Sequence, residues 1–218
     1  MHILGIENRT ENWKTTVYFS PLFAGNSNRL AERLGATPPP PSDGVVLELF
    51  WKGMRDHLYD RKMKKRFAKQ ALVECYDRMF PNLRRDIEKF GKLQLPNPQN
   101  YDTSTDDRMD KLVDNLVNSE IDVVLDTPKH FLIGEAKHEM RFGANGSYVL
   151  VHQLIRQYVL ANILINFLPN QIEKEVIPFV VGDDIEYLNR SAQVQFMIDQ
   201  GWMKKENILC WEEIRSWY

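Results

Sequence analysis

Residues 120–137 read EIDVVLDTPKHFLIGEAK and contain two apolar runs separated by a short polar turn. The first run, at 121–125, is rich in β-branched residues, and the second begins at Phe131. This pattern predicts an antiparallel β-hairpin. With the turn centred on Pro128 and Lys129, the register places Asp122 directly opposite Glu135, with Cβ atoms about 4.5–5.5 Å apart.

The same hairpin places three charged residues on one face of the sheet. Side chains alternate along a strand, so Glu135 and Lys137 share a face, which in this register is also the face of Asp122. Two facing carboxylates repel each other, and a divalent cation between them relieves that repulsion. Carboxylate oxygens, a backbone carbonyl and water molecules suit Mg²⁺ or Mn²⁺. Such a cation and a nearby ammonium are the equipment for hydrolysing a phosphodiester.

At these residues the sequence resembles the PD-(D/E)xK nuclease superfamily. The resemblance rests on Asp122 as the acid of the first hairpin strand and on Glu135-Ala136-Lys137 as the (D/E)xK of the second. Ile121 stands where the family motif has proline. The resemblance covers residues 105–218 and implies a restriction-endonuclease-like core of the αβββαβ type.

The resemblance also implies roles for individual residues. Asp122, Glu135 and the carbonyl of Ala136 are expected to ligate Mg²⁺ (or Mn²⁺), and Lys137 is expected to position the attacking water. Gln153, in the helix that follows the hairpin, is expected to help order the site.

A further acid precedes the hairpin in many members of that superfamily. Glu48, Glu74, Asp110 and Asp114 all have a helical sequence context. Glu74 lies beside an apolar face of residues spaced four apart between 67 and 79, which makes it the candidate for the extra acid. Asp110 and Asp114 face away from the apolar positions of their helix, which favours a solvated location.

A cationic segment at 61–69 holds six lysine and arginine residues and no acid. On a helix, most of them project to one side, where they would contact phosphates without reading base sequence. This pattern predicts nucleic-acid binding by Lys62, Lys65, Arg66 and Lys69, and the polar side of the later helix adds Arg156 as a phosphate contact. The alternative is an ordinary solvated helix face.

The order of elements predicts an α/β protein with a mixed β-sheet and flanking helices. Strands are expected at 2–6, 15–19, 177–181 and 208–211, and helices at 59–79, 109–117, 148–168 and 188–201. Residues 1–104 are expected to form a largely helical N-terminal part with the basic helix, and residues 105–218 the nuclease-like core. One compact domain is the alternative.

The composition is that of an ordinary globular protein. The chain has 218 residues, 43% of them hydrophobic, and a net charge of −2, which excludes a histone-like binder of polyanions. Cys75 and Cys210 lack metal-ligand spacing and are expected in the core. The apolar stretch 148–168 contains Arg156, which is costly in hydrocarbon, so no membrane partner is expected. Residues 1–7 lack a signal-peptide pattern, so a cytoplasmic location is expected.

These features predict a metal-dependent nuclease that hydrolyses phosphodiester bonds, with DNA favoured over RNA as substrate. Cleaving both strands of a duplex needs two active sites or two events, which is consistent with a homodimer. One alternative is a catalytically inactive module of the same fold that binds nucleic acid or serves in assembly. Another is an unrelated α/β protein in which the motif is coincidental.

Overall fold

The computed structural model describes residues 2–3, 6–7, 10–24, 27–36, 45–52, 116, 118–138, 152–167 and 173–218. The strands within this part of the chain are β1 (His2–Ile3), β2 (Ile6–Glu7), β3 (Val46–Trp51), β4 (Ile121–Asp126), β5 (His130–Lys137), β6 (Glu175–Gly182) and β7 (Ile208–Cys210). The α-helices are α1 (Thr10–Phe19), α2 (Ser27–Arg33), α3 (Gln153–Phe167), α4 (Ile185–Arg190), α5 (Ala192–Asp199) and α6 (Trp211–Arg215). Short 3₁₀ helices follow α1 at Ser20–Ala24 and precede β7 at Lys205–Asn207.

Five strands form one mixed sheet in the order β3-β4-β5-β6-β7. The β3–β4 and β4–β5 pairs are antiparallel, whereas the β5–β6 and β6–β7 pairs are parallel. Strands β5 and β6 are buried almost throughout, as expected of parallel strands that are covered on both faces. The predicted α/β class with a mixed sheet and flanking helices is therefore confirmed, and the strands predicted at 177–181 and 208–211 correspond to β6 and β7.

The β4–β5 hairpin has the register predicted from the sequence over Val123–Asp126, and the predicted pair of Asp122 with Glu135 lies one step beyond the end of this ladder. Val123 pairs with Gly134, and Asp126 pairs with Phe131. Thr127 closes the turn, because its Oγ1 accepts a hydrogen bond from the His130 N–H at 2.9 Å and its own N–H donates to the His130 carbonyl. The Thr127 hydroxyl thus accepts a hydrogen bond from the backbone N–H that follows the turn residues Pro128 and Lys129. Because this bond closes the turn, it also sets the register of the two strands.

Helix α1 occupies residues for which the sequence predicts a strand, so the strand predicted at 15–19 is wrong. Thr15 and Phe19 are fully buried, and a spacing of four places them on one face of a helix. The Thr16 hydroxyl donates to the Asn12 carbonyl four residues earlier, a bond that needs helical backbone. The run Thr-Thr-Val-Tyr-Phe has high β propensity, but burial of one helical face overrides it.

The hydrophobic core of the sheet lies between one of its faces and the N- and C-terminal helices. Phe19 of α1 contacts Phe179 of β6 and Trp211 of α6, with ring centroids 6.4 and 6.2 Å apart. Leu22 and Leu132 are also fully buried in this cluster. Burying each side chain of this size contributes about 1.5–3 kcal/mol, so Phe19 and Leu22 are integral to the packing of the sheet.

The segment after β6 contains two helices in place of the single helix predicted at 188–201. Asp184 caps α4 by accepting a hydrogen bond from the Tyr187 N–H at 2.9 Å. Ser191 then has extended backbone angles, φ −63° and ψ 131°, which end α4 before α5 begins. The apolar periodicity continues across this break because both helices bury residues, Leu188 in α4 and Val194 in α5.

Contacts divide the chain into two compact units. One unit comprises Met1–Trp51, Glu120–Phe142 and Glu173–Tyr218 and contains the five-stranded sheet; the other comprises Lys52–Ser119 and Gly143–Ile172 and contains α3. Strand β3, from the predicted N-terminal part, and strands β4–β7, from the predicted nuclease-like core, therefore share one sheet. Among the described helices, none combines the length and the hydropathy needed to cross a bilayer.

Gly134 of β5 leaves room for the ring of Phe179 on the neighbouring strand β6. A Cβ atom at this position would lie 2.1–2.7 Å from three ring atoms of Phe179, which is itself fully buried. Gly134→Ala is therefore expected to lower the free energy of unfolding by about 1–3 kcal/mol, measured by urea denaturation. In a Phe179→Leu background the same substitution is expected to cost less, because the ring atoms are gone; an equal cost in both backgrounds would contradict this contact.

Candidate functional site

Asp122 lies at the point where the pairing of β4 with its neighbours is interrupted. The β4–β5 ladder runs from Asp126 back to Val123. At the next residue, Asp122, the side-chain carboxylate takes the place of a backbone acceptor. Asp122 Oδ2 accepts a hydrogen bond from the Ala136 N–H at 2.9 Å. This bond ties the buried carboxylate to the peptide group next to Glu135.

Strand β3 is strained beside the same acid. Its ladder with β4 pairs Leu49 with Val123 and Trp51 with Ile121, and it skips Phe50. Phe50 has a φ of 56°, in the left-handed region, which costs an L-residue about 1–2 kcal/mol. Strained backbone persists only where the surrounding structure compensates for it, and it is found more often at functional sites than elsewhere.

Glu135 and Lys137 form a buried ion pair on β5. The exposed fractions are 0% for Glu135, 9% for Lys137 and 8% for Asp122. Lys137 Nζ donates to Glu135 Oε1. Two residues apart on one strand, these side chains share a face, as the alternation of a strand requires. The structure therefore brings the acid and the ammonium of the (D/E)xK segment into direct contact.

The charges of this site are held in a poorly solvated environment. Asp122 and Glu135 both carry carboxylates, and the Lys137 ammonium pairs with the one on Glu135. From the sequence, a metal ion is expected to offset the repulsion between the two carboxylates. In the structure, the Lys137 ammonium supplies part of that positive charge. Low local dielectric strengthens both the attraction and the residual repulsion.

The oxygen donors of this site are of the chemical type that hard divalent cations take. Asp122 is bonded to the Ala136 N–H, and Glu135 precedes Ala136, so both carboxylates and the Ala136 carbonyl belong to one short stretch of the hairpin. Carboxylate and carbonyl oxygens are the ligands that Mg²⁺ and Mn²⁺ prefer. Within the described residues, no group of three or more His, Cys, Asp or Glu side chains is placed to hold a metal ion.

Of the candidates for a further acid, the described residues contain Glu48. It lies on β3 and not on a helix, so the helical context predicted for it is wrong. It pairs with Val124, which places its exposed side chain on the same face as Asp122, two residues along the neighbouring strand. Glu74, Asp110 and Asp114 lie outside the described residues.

A second polar cluster adjoins the end of β5, and the sequence gives little sign of it. Lys14 Nζ lies 2.8 Å from His138 Nδ1 and also forms an ion pair with Asp183 Oδ1. His138 Nδ1 is 2.6 Å from Asp183 Oδ2. Trp211 completes the group, because its Nε1–H donates to the Lys137 carbonyl at 3.1 Å. We name Lys14, His138, Asp183 and Trp211 the strand-end cluster.

Part of this cluster could have been predicted from the sequence. His138 and Asp183 directly follow β5 and β6, and polar residues at the carboxyl ends of parallel strands are often functional. Lys14 has no such signal, since 124 residues separate it from His138.

Electrostatics favour the ionised form of Asp183. Burial by itself raises the pKa of this carboxyl, but hydrogen bonds and charges of Lys14 and His138 lower it, and the net direction is downward. The side chain is 35% exposed, so solvent screens part of this interaction.

Two predicted site residues of the later helix lie in the second compact unit. Gln153 is the first residue of α3 and is half-buried. Arg156 Nε donates to the Ser119 hydroxyl at 2.6 Å. Nearby, burial lowers the pKa of His152. The predicted phosphate-binding residues Lys62, Lys65, Arg66 and Lys69 lie outside the described residues.

No protein-family model, curated protein or solved structure matches the chain.

Removing only one charge of the buried pair is expected to destabilise the fold. Lys137→Met leaves the fully buried Glu135 carboxylate beside Asp122 without its ammonium, and we expect a loss of about 3 kcal/mol at neutral pH without divalent cations. The double variant Glu135→Gln/Lys137→Met removes both charges and is expected to recover most of that loss. Urea denaturation of the three proteins measures this; a double variant as unstable as the single one would contradict the pairing.

The ion pair of Asp183 makes a contribution to stability that depends on pH. A carboxyl whose pKa is lowered on folding contributes fully above its unfolded pKa, about 3.9, and the contribution disappears as the pH falls through the lower folded value. Wild type is therefore expected to melt at a higher temperature than Asp183→Asn at pH 5, with the difference shrinking between pH 4 and pH 2. Thermal denaturation at several pH values tests this, and a difference that grows toward pH 2 would argue against it.

Proposed function

We propose that this chain is a metal-dependent nuclease that hydrolyses phosphodiester bonds, with DNA favoured over RNA as substrate. The observation that carries the proposal is the buried contact between Lys137 and Glu135, adjoining an Asp122 carboxylate that is bonded to the Ala136 N–H. Burying two acids and one ammonium is unfavourable for a purely structural sheet. A hydrolytic site, in contrast, needs these groups close together and shielded from bulk water.

The residues of this chain divide the work of hydrolysis between them. Asp122, Glu135 and the Ala136 carbonyl would hold Mg²⁺ (or Mn²⁺), which supplies Lewis-acid polarisation of the phosphate and makes water more acidic. Lys137 would hold the attacking water and offset the negative charge that builds on the phosphate oxygens. Gln153 would orient groups at the site.

Strand order supports a restriction-endonuclease-like core. Three antiparallel strands, β3 to β5, are followed along the chain by helix α3 and then by β6, which is parallel to β5. This is the order of elements along the chain expected of an αβββαβ core. The Asp122 carboxylate and the (D/E)xK segment lie on the second and third of these strands.

Substrate binding is the part of the proposal that rests on sequence. Lys62, Lys65, Arg66 and Lys69 are proposed to contact the phosphate backbone, together with Arg156, and would position a substrate without reading its sequence. Glu74 is proposed as the extra acid. A homodimer and a cytoplasmic location remain parts of the same proposal.

The second candidate is a catalytically inactive module that binds nucleic acid or serves in assembly. The bonds already made by both acids are compatible with it, because Lys137 pairs with Glu135 and the Ala136 N–H donates to Asp122, so each carboxylate has a protein partner without any metal. Cleavage and binding measurements separate the two candidates.

We expect the full chain to cleave nucleic acid in Mg²⁺ or Mn²⁺ and not in EDTA. The substrates are single- and double-stranded DNA and RNA. Asp122→Asn, Glu135→Gln and Lys137→Met are each expected to lower the cleavage rate by about 100-fold or more. Asp126→Asn is the matched control, because Asp126 lies on the same strand and face as Asp122 but is paired with Lys174. It is expected to cleave like wild type.

Thermal denaturation gives a readout that does not depend on activity. Mn²⁺ is expected to raise the melting temperature of wild type and of Asp126→Asn, and to have no such effect on Asp122→Asn. Binding of nucleic acid without cleavage, together with no stabilisation by Mn²⁺, would overturn the nuclease proposal in favour of the inactive module.

A further inference from the structure

Three members of the strand-end cluster directly follow the parallel strands β5, β6 and β7. The last paired row of this part of the sheet consists of Lys137, Gly182 and Cys210. The next residue in each case is His138, Asp183 or Trp211. All three therefore leave the sheet at the same edge, one peptide beyond the row that contains the ammonium-bearing residue of the site.

Lys14 contacts each of these three residues. Its Nζ pairs with Asp183, lies 2.8 Å from His138 Nδ1 and lies 5.6 Å from the centroid of the Trp211 ring. The Tyr18 ring, one turn further along α1, is 6.0 Å from the same nitrogen. One cation from an N-terminal helix thus connects the ends of β5, β6 and β7.

The cluster reaches Lys137 through its main chain. Trp211 Nε1–H donates to the Lys137 carbonyl at 3.1 Å, and the Trp211 side chain is fully buried. His138 is bonded to Lys137 through the peptide group itself. Because Lys137 is buried, few rotamers are open to its side chain, so its contact with Glu135 depends on where its Cα is held.

We propose that Lys14 is a positioning residue, which holds the end of β5 through His138, Asp183 and Trp211 so that the Lys137 ammonium stays on Glu135. Its role in catalysis rests on the nuclease function proposed above. Lys14 does not touch the substrate in this proposal; it acts through Lys137. Small displacements of a catalytic group lower the rate of a reaction with little change in substrate binding.

The chain offers a matched control at the other end of the same strands. Lys174 pairs with Asp126, and the exposed fractions of these side chains, 12% and 42%, resemble the 18% and 35% of Lys14 and Asp183. Lys174 precedes β6, and Asp126 ends β4, far along the strands from Lys137. Lys14→Met and Lys174→Met thus remove comparable ion pairs from opposite ends of one sheet.

The first measurement is the reactivity of the Lys137 amine, read by limited acetylation and peptide mass spectrometry on the full chain. Burial and the contact with Glu135 protect this amine in wild type. We expect Lys14→Met to raise its rate of acetylation at least about threefold, since local opening exposes it. Lys174→Met is expected to leave the rate unchanged, with the exposed Lys129 as internal reference in each protein.

The second measurement is cleavage under the conditions in which wild type is active. Lys14→Met is expected to lower kcat about tenfold with KM changed less than about twofold. Lys14→Arg keeps a cation for Asp183 and is expected to restore kcat to within about twofold of wild type. Lys174→Met is expected to match wild type. If Lys14→Met does not fold, Asp183→Asn takes its place, with Asp126→Asn as its control.

The outcomes separate the two proposals. Equal acetylation of Lys137 in Lys14→Met and wild type, or an equal increase in Lys174→Met, overturns the positioning role even if the protein cleaves nucleic acid. A second outcome is that acetylation of Lys137 rises in Lys14→Met and not in Lys174→Met, while wild type cleaves none of the substrates. This outcome supports the positioning of Lys137 and overturns the nuclease function. Raised acetylation together with a lowered kcat that Lys14→Arg restores supports both.

Discussion

The buried ion pair between Lys137 and Glu135 is the interaction on which the site depends. Glu135 is fully buried and Asp122 almost so, and removing such charges from water costs several kcal/mol each. The ammonium offsets one carboxylate, and the Ala136 N–H donates to the other. A sheet can hold these groups only because neighbouring strands and helices keep them in place, which makes the surrounding packing part of the site.

The sheet itself creates the space for these groups. Strand β5 pairs antiparallel with β4 on one side and parallel with β6 on the other. On the β6 side its ladder continues to Lys137, whereas on the β4 side it stops at Gly134 and the Asp122 carboxylate takes over as acceptor. The site therefore lies where one ladder ends before the other, and backbone groups become available to side chains.

Sequence reasoning reached the hairpin because its determinants are local. Alternation, β-branched residues and a turn closed by Thr127 specify a register within a segment of 18 residues, 120–137. It failed at residues 15–19, where high β propensity competes with the burial of Thr15 and Phe19 on one helical face. It also placed Glu48 on a helix, because a short amphipathic segment does not reveal that a distant strand, β4, is its partner.

The amino-acid sequence by itself determined the pairing of Val123–Asp126 with Phe131–Gly134 and the sheet face on which Asp122, Glu135 and Lys137 lie, since strand register is set by side-chain alternation and by the closure of a nearby turn. Only the tertiary structure decided what surrounds them. Lys14 reaches His138 and Asp183 across more than half of the chain, and Trp211 reaches the Lys137 carbonyl from the C-terminal helix. Contacts between residues so far apart in sequence depend on how whole elements pack, and no local pattern encodes them.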